Sequence, residues 1–124
     1  VQKKRPVNLN LFTIQFPLPA ITSILHRISG FALFLFIPFL LWMLHASLAS
    51  PEQFTNLHEL LTSIPAKLGL ILLFAGLFYH LFAGIRHLFM DAQIGETLKG
   101  ANRGAVLVLI LSTVFTVMAG YWLW

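Results

Sequence analysis

"LGLILLFAGLFYHLFAGIRHLFM", Leu68 to Met90, carries no charged side chain between Lys67 and Arg86. At about 1.5 Å of rise per residue such a run crosses the roughly 30 Å hydrocarbon core of a bilayer as one helix. Two further runs have the same character. "FALFLFIPFLLWML", Phe31 to Leu44, is extended upstream by "ITSILHRISG", and "AVLVLILSTVFTVMAGYWLW" fills Ala105 to Trp124. Of the 124 residues 58% are hydrophobic and only 10% charged, whereas a soluble domain has about 25% charged residues. The sequence is therefore that of an all-α integral membrane protein with three spanning helices, and a water-soluble catalytic domain is excluded. Cysteine is absent, which excludes disulfides, thiolate nucleophiles and iron–sulfur ligation by this chain. The basic residues cluster at the ends of the spans and form no stripe for nucleic acid.

The chain reads as one membrane-anchor domain, 1–124. An N-terminal segment, 1–19, ends at Pro17 and Pro19, which set the start of the first span, 20–49. Pro38 inside that span predicts a kink, which membrane helices tolerate. A polar connector, 50–66, holds room for a short surface helix and is followed by the second span, 67–91. A loop is expected over 92–104, with Gly95, Gly100 and Gly104 as breakers, then the third span, 105–124. Lys3, Lys4 and Arg5 precede the first span and Lys99 and Arg103 follow the second, while the connector carries Glu52 and Glu59. The bias in basic residues predicts a cytoplasmic N-terminus and second loop, with the C-terminus periplasmic. Tyr121, Trp122 and Trp124 then form an aromatic belt at the far interface.

His80 lies near the middle of the second span, roughly 15–18 Å from either end. A ring at that depth needs a partner, because an unsatisfied polar group in hydrocarbon costs a few kcal/mol. At about 100° per residue, Gly69, Gly76, Gly84, His87 and Asp91 fall within roughly 40° of it. A stripe of small residues lets another helix approach closely, and equally leaves room for a flat macrocycle beside an axial imidazole. His87 is two turns further on, about 10 Å towards the surface, at the distance a haem extends from iron to propionates. Arg86 points elsewhere at the same depth, suited to a carboxylate or to head groups. Asp91 at the interface is placed to orient His87 or Arg86.

On the first span Ser23, His26, Arg27 and Gly30 share one face, at i, i+3, i+4 and i+7. The predicted topology brings them level with Arg86 and His87. A hydroxyl, imidazoles and guanidinium groups at one depth suit an amphipathic ligand such as a quinone, whose carbonyls need donors and whose tail needs lipid. Taken singly, an interfacial arginine is an anchor and a membrane serine bonds its own helix. His45 and His58 read as surface histidines.

Two stretches resemble signatures of the larger cytochrome b anchor subunits of succinate dehydrogenase, respiratory complex II. They are "RPVNLNLFTIQFPLPAITSILHRIS", Arg5 to Ser29, and "HLFAGIRHLFMD", His80 to Asp91. The resemblance covers the whole chain. It implies that His80 is an axial ligand of haem b iron, with the second histidine supplied by a smaller anchor subunit. It implies ubiquinone binding by Ser23, Ile24 and Arg27, and haem propionates neighboured by His26, Arg27 and His87, with Arg86 at the same level. The implied partners are that smaller anchor, a flavoprotein with FAD and an iron–sulfur subunit, in a complex linking the tricarboxylic acid cycle to electron transport. The lack of an Arg/Ser-rich transit segment before Arg5 favours a bacterial inner membrane over a mitochondrial one. Three other readings differ in the role of His80: a haem-free fumarate-reductase-type quinone anchor, a proton-relay subunit and a purely structural anchor. A relay requires a polar ladder across the membrane, and "LGLILLFAGLF", Leu68 to Phe78, contains none.

Overall fold

The computed structural model describes residue 10 and residues 12–124. The basic N-terminal residues Lys3, Lys4 and Arg5, and the start of the first signature, lie outside the described residues. Four helices follow in chain order: α1 (Leu18–Ala49), α2 (Pro51–Thr62), α3 (Ile64–Asp91) and α4 (Leu98–Leu123). Among the described residues no strand occurs. α1, α3 and α4 are long and apolar enough to cross a membrane, with lengths of about 48, 42 and 39 Å at 1.5 Å per residue.

Local chemistry sets the helix ends. Pro17 precedes α1 in an extended conformation and Pro19 sits in its first turn, where a missing N–H costs no hydrogen bond. Pro38 lies inside an α1 that runs unbroken to Ala49. Ser50 caps α2, its Oγ accepting from Gln53 N at 3.1 Å, and Pro51 and Glu52 occupy the first turn. The polar connector is therefore largely helical, and it docks on α1 through buried Leu57.

α3 starts at Ile64, three residues ahead of the expected span, because Pro65 falls in the first turn, where it is tolerated. The expected loop 92–104 shortens to 92–97, a correction with a clear cause. Gln93 and Gly95 take positive φ, 62° and 79°, reversing the chain at once, and Thr97 caps α4 by accepting from Gly100 N at 3.1 Å. Gly100 and Gly104 therefore lie inside α4 and do not break it. A Cβ on Gly100 would sit 2.9 Å from the Gly95 carbonyl, so this glycine is there for the close approach of the turn.

α3 and α4 form the most extensive contact, and small residues make it. Ala83 and Ala105 are both 0% exposed, and Ala101, Val108 and Ser112 are buried beside them. Lipid tails provide no hydrophobic drive for helices to associate, so small residues that admit close packing have to supply the attraction. The glycine stripe contributes little here: a Cβ on Gly69 or Gly76 would meet nothing within 4 Å. At the end of the bundle opposite His80, Lys67 Nζ lies 5.1 Å above the Trp124 ring, while Tyr121 and Trp122 are exposed.

Replacing Ala83 with leucine is expected to destabilise the packed helices by about 1–3 kcal/mol. A lowered unfolding midpoint in detergent is the check, and a parent-like midpoint would contradict the packing described.

Candidate functional site

α1 and α3 run antiparallel, which brings the N-terminal part of α1 to the C-terminal half of α3. Two adjacent residues of α3 reach carbonyls one turn apart on α1. Tyr79 Oη donates to Thr22 O at 2.8 Å, and His80 Nδ1 lies 3.1 Å from His26 O. The same Nδ1 is 3.1 Å from Ser29 Oγ, whose hydroxyl donates to His26 O at 2.8 Å. A carbonyl can only accept, so the network assigns the hydrogen to Nδ1. Nε2 is left with its lone pair free, and it makes no hydrogen bond within the described residues.

The ring is also held sterically. A Cβ on Gly30 would come within 2.8 Å of His80 Cε1, so α1 can approach the imidazole only where it carries a glycine. His26 stacks on His80 with centroids 4.3 Å apart and planes 13° from parallel. His87 lies 5.0 Å from His26 at 48°. A Cβ on Gly84 would sit 3.3 Å from His26 Nε2, so Gly84 makes room for the ring lying across it. Three imidazoles thus share one seam between α1 and α3, all half-buried.

Ser23, Ile24 and Arg27 flank the seam without entering it. Ser23 is half-buried, Ile24 is 42% exposed and Arg27 is exposed. The face of α1 turned to α3 carries Thr22, which is 1% exposed, His26 and Ser29. Arg86 is directed to α4: its Nη2 donates to Ala101 O at 3.4 Å, and it is apart from the stacked imidazoles. Asp91 is exposed and bonds neither Arg86 nor His87. His45 and His58 are exposed at the other end. The sequence assigns no site role to Ser29, Thr22 or Tyr79, although Ser29 closes the first signature. Ser29 stands three residues after His26, the spacing at which a hydroxyl reaches a carbonyl of its own helix, and this was the available signal.

Among the described residues no group of three His, Cys, Asp or Glu side chains is arranged to hold a metal ion. The seam therefore offers ring nitrogens of His26, His80 and His87, of which His80 Nδ1 is already engaged in hydrogen bonds. Three apolar spans with a seam of imidazoles between two of them define a helical membrane protein. The family model described as succinate dehydrogenase/fumarate reductase transmembrane subunit matches residues 1–119, and the chain belongs to that family. The chain is similar to the succinate dehydrogenase cytochrome b556 subunit of Coxiella burnetii, 45% identical over 98% of each chain. The subunit of the same name from Paracoccus denitrificans is 38% identical over 92% of this chain and 88% of its own. That of Rickettsia bellii is 35% identical over 95% and 92%. This protein is accordingly a membrane-spanning subunit of an oxidoreductase complex of the succinate dehydrogenase kind.

The tautomer assignment is open to direct measurement. With histidine labelled by ¹⁵N and the rings neutral, His80 is expected to show one tautomer, hydrogen on Nδ1. Ser29→Ala should introduce the second form, and an unchanged spectrum would remove Ser29 from the network.

Proposed function

We propose that this chain is the haem b- and ubiquinone-binding anchor of a succinate:quinone oxidoreductase, with His80 Nε2 as one axial ligand of the iron. The carrying observation is the Nδ1 network, with His26 O and Ser29 Oγ each at 3.1 Å. Histidines that ligate a metal typically donate their other ring N–H to a carbonyl or similar acceptor, which fixes the ring and raises its basicity. The residues present therefore fit the group. Among the described residues no other imidazole is held in this way, and a histidine from a smaller anchor subunit would complete the ligand set. Held by His80 and the partner's histidine, haem b would supply one-electron transfer.

The remaining residues act on charge and position. His26 and His87, on either side of the seam, and Arg27 at its edge offer donors to propionate carboxylates. Ser23 and Arg27 lie one turn apart on α1, with Ile24 between them providing an apolar wall. In the quinone site the Ser23 hydroxyl donates to a ring carbonyl, and the Arg27 guanidinium stabilises the negative charge that develops as the ring is reduced. Electrons arrive from an iron–sulfur subunit docked at the end that carries the α1 N-terminus, fed by a flavoprotein with FAD that oxidises succinate. That end faces the cytoplasm of a bacterial inner membrane, in keeping with Lys99 and Arg103 there. The haem-free fumarate-reductase-type anchor is less well supported, since it gives no purpose to an imidazole held with its Nε2 free.

A dithionite-reduced minus oxidised spectrum of the complex is expected to show low-spin b-type bands that His80→Leu removes or shifts. Their absence from well-folded parent complex would sink the ligand assignment. Arg27→Ala is expected to lower succinate:quinone reductase activity, by up to roughly 10²-fold, while succinate oxidation by a dye that accepts electrons upstream continues. Equal loss in both assays would move the role of Arg27 from the quinone to assembly.

A further inference from the structure

Arg86 is 7% exposed, and its Nε and Nη1 are buried with no hydrogen-bond partner. Its single bond, Nη2 to Ala101 O, is long at 3.4 Å. Gly104 of α4 admits the side chain, since a Cβ there would stand 3.2 Å from Nε. A guanidinium keeps its proton in a protein interior, and a buried charge without an anion is costly. Among the described residues no ion pair answers it. Asp91 and Glu96, the acids at this end of the bundle, are both exposed, and Glu52 and Glu59 are on α2 at the other end.

Arg86 lines a cavity of about 440 Å³ between α3 and α4, within the roughly 300–1,000 Å³ typical of ligand sites. Its other walls are apolar and include Phe82, Phe89, Ile94, Leu107 and Leu111. On α4 it reaches from Gly100 to Leu111, about 16 Å along the helix axis. The occupant must therefore carry an anion at one end and hydrocarbon along the rest. A peptide segment would bring backbone N–H and C=O groups against walls that cannot bond them. The cavity is separate from the imidazole seam: Arg86 projects from α3 about 120° around the axis from His80.

We propose that the α3–α4 cavity binds an anionic phospholipid, its phosphate on Arg86 and an acyl chain along Phe82, Leu107 and Leu111. Lys99 and Arg103, exposed in the first turns of α4, add positive charge at the head-group level. The lipid supplies the counter-charge that the chain lacks, and it joins α3 to α4 beyond the alanine contact.

The test uses the whole complex, delipidated in mild detergent and then titrated with phosphatidylglycerol, phosphatidylcholine or inorganic phosphate. Native mass spectrometry counts bound lipid, and thermal unfolding reads protection. Phosphatidylglycerol is expected to be retained and to raise the unfolding midpoint. Phosphatidylcholine, whose phosphate carries its own cation, should bind at least tenfold more weakly, and free phosphate should not protect. Arg86→Gln should weaken phosphatidylglycerol binding at least tenfold, with Arg86→Lys restoring part of it. Leu107→Trp, which fills the cavity and leaves the charge in place, should weaken it as well. Equal retention by parent, Arg86→Gln and Leu107→Trp would overturn the proposal. So would protection by inorganic phosphate equal to that by the lipid, or a partner-subunit carboxylate found on Arg86 in the assembled complex.

Discussion

A polar hydrogen inside a bilayer must find its acceptor within protein, and the placement of α1 against α3 follows from that constraint. Tyr79 and His80 are adjacent on α3, and their acceptors, Thr22 O and His26 O, lie one turn apart on α1. Thr22 O already belongs to the helix ladder, so Tyr79 uses its spare lone pair, while His26 O, which also accepts from Ser29 Oγ, is shared among its donors. Each contact contributes little energy, on average about 0.6 kcal/mol and at most about 1.7 by measurement in membrane bundles. Their effect is on geometry. Two donors on carbonyls one turn apart fix both the rotation and the axial register of α1. With His80 turned to α1, helical geometry turns Arg86 towards α4.

The two helix contacts of α3 accordingly use different physics. Against α4 it packs small residue on small residue, with Ala83 and Ala105 fully buried. Against α1 it uses hydrogen bonds and stacked imidazoles, and the glycines at 30 and 84 lie under rings. The first contact is dense where Ala83 meets Ala105, and it opens beside them into the cavity that Arg86 lines. The second is polar: it holds three imidazoles, with His80 fixed by the close approach of Gly30 and by its Nδ1 partners. His26, His80 and His87 are all on the second kind of surface, and the buried arginine is on the first.

Much of this was legible from sequence. Three spans follow from hydropathy alone, since nothing else accommodates apolar runs of that length, and helical periodicity put His80 and His87 on one face. The helix ends were less accessible. Pro65 marks a boundary in sequence yet sits within the first turn of α3, and Gly100 and Gly104 look like breakers although both lie in α4. The error over the loop has a definite source: glycine signals either a turn or a close approach, and composition does not distinguish the two. The same ambiguity affected the stripe. Gly84 sits under His26, whereas Gly69 and Gly76 face open space. Ser29 and Tyr79 stayed hidden because their roles depend on how far α1 is rotated about its axis, a quantity set between helices.

That rotation also bears on the proposed iron ligand. A histidine held by packing alone can turn about its side-chain bonds, and its nitrogen then wanders by more than a coordination bond tolerates. His80 is tied at Nδ1 to a backbone carbonyl of α1, which selects one rotamer of its side chain and refers its ring plane to that helix. Its free Nε2 points where the relative position of two helices directs it. The orientation of the His80 ring is therefore a property of the α1–α3 contact as a whole. Substitutions on α1 that never touch a bound group, Gly30 and Ser29 foremost, act on it as directly as substitutions beside it.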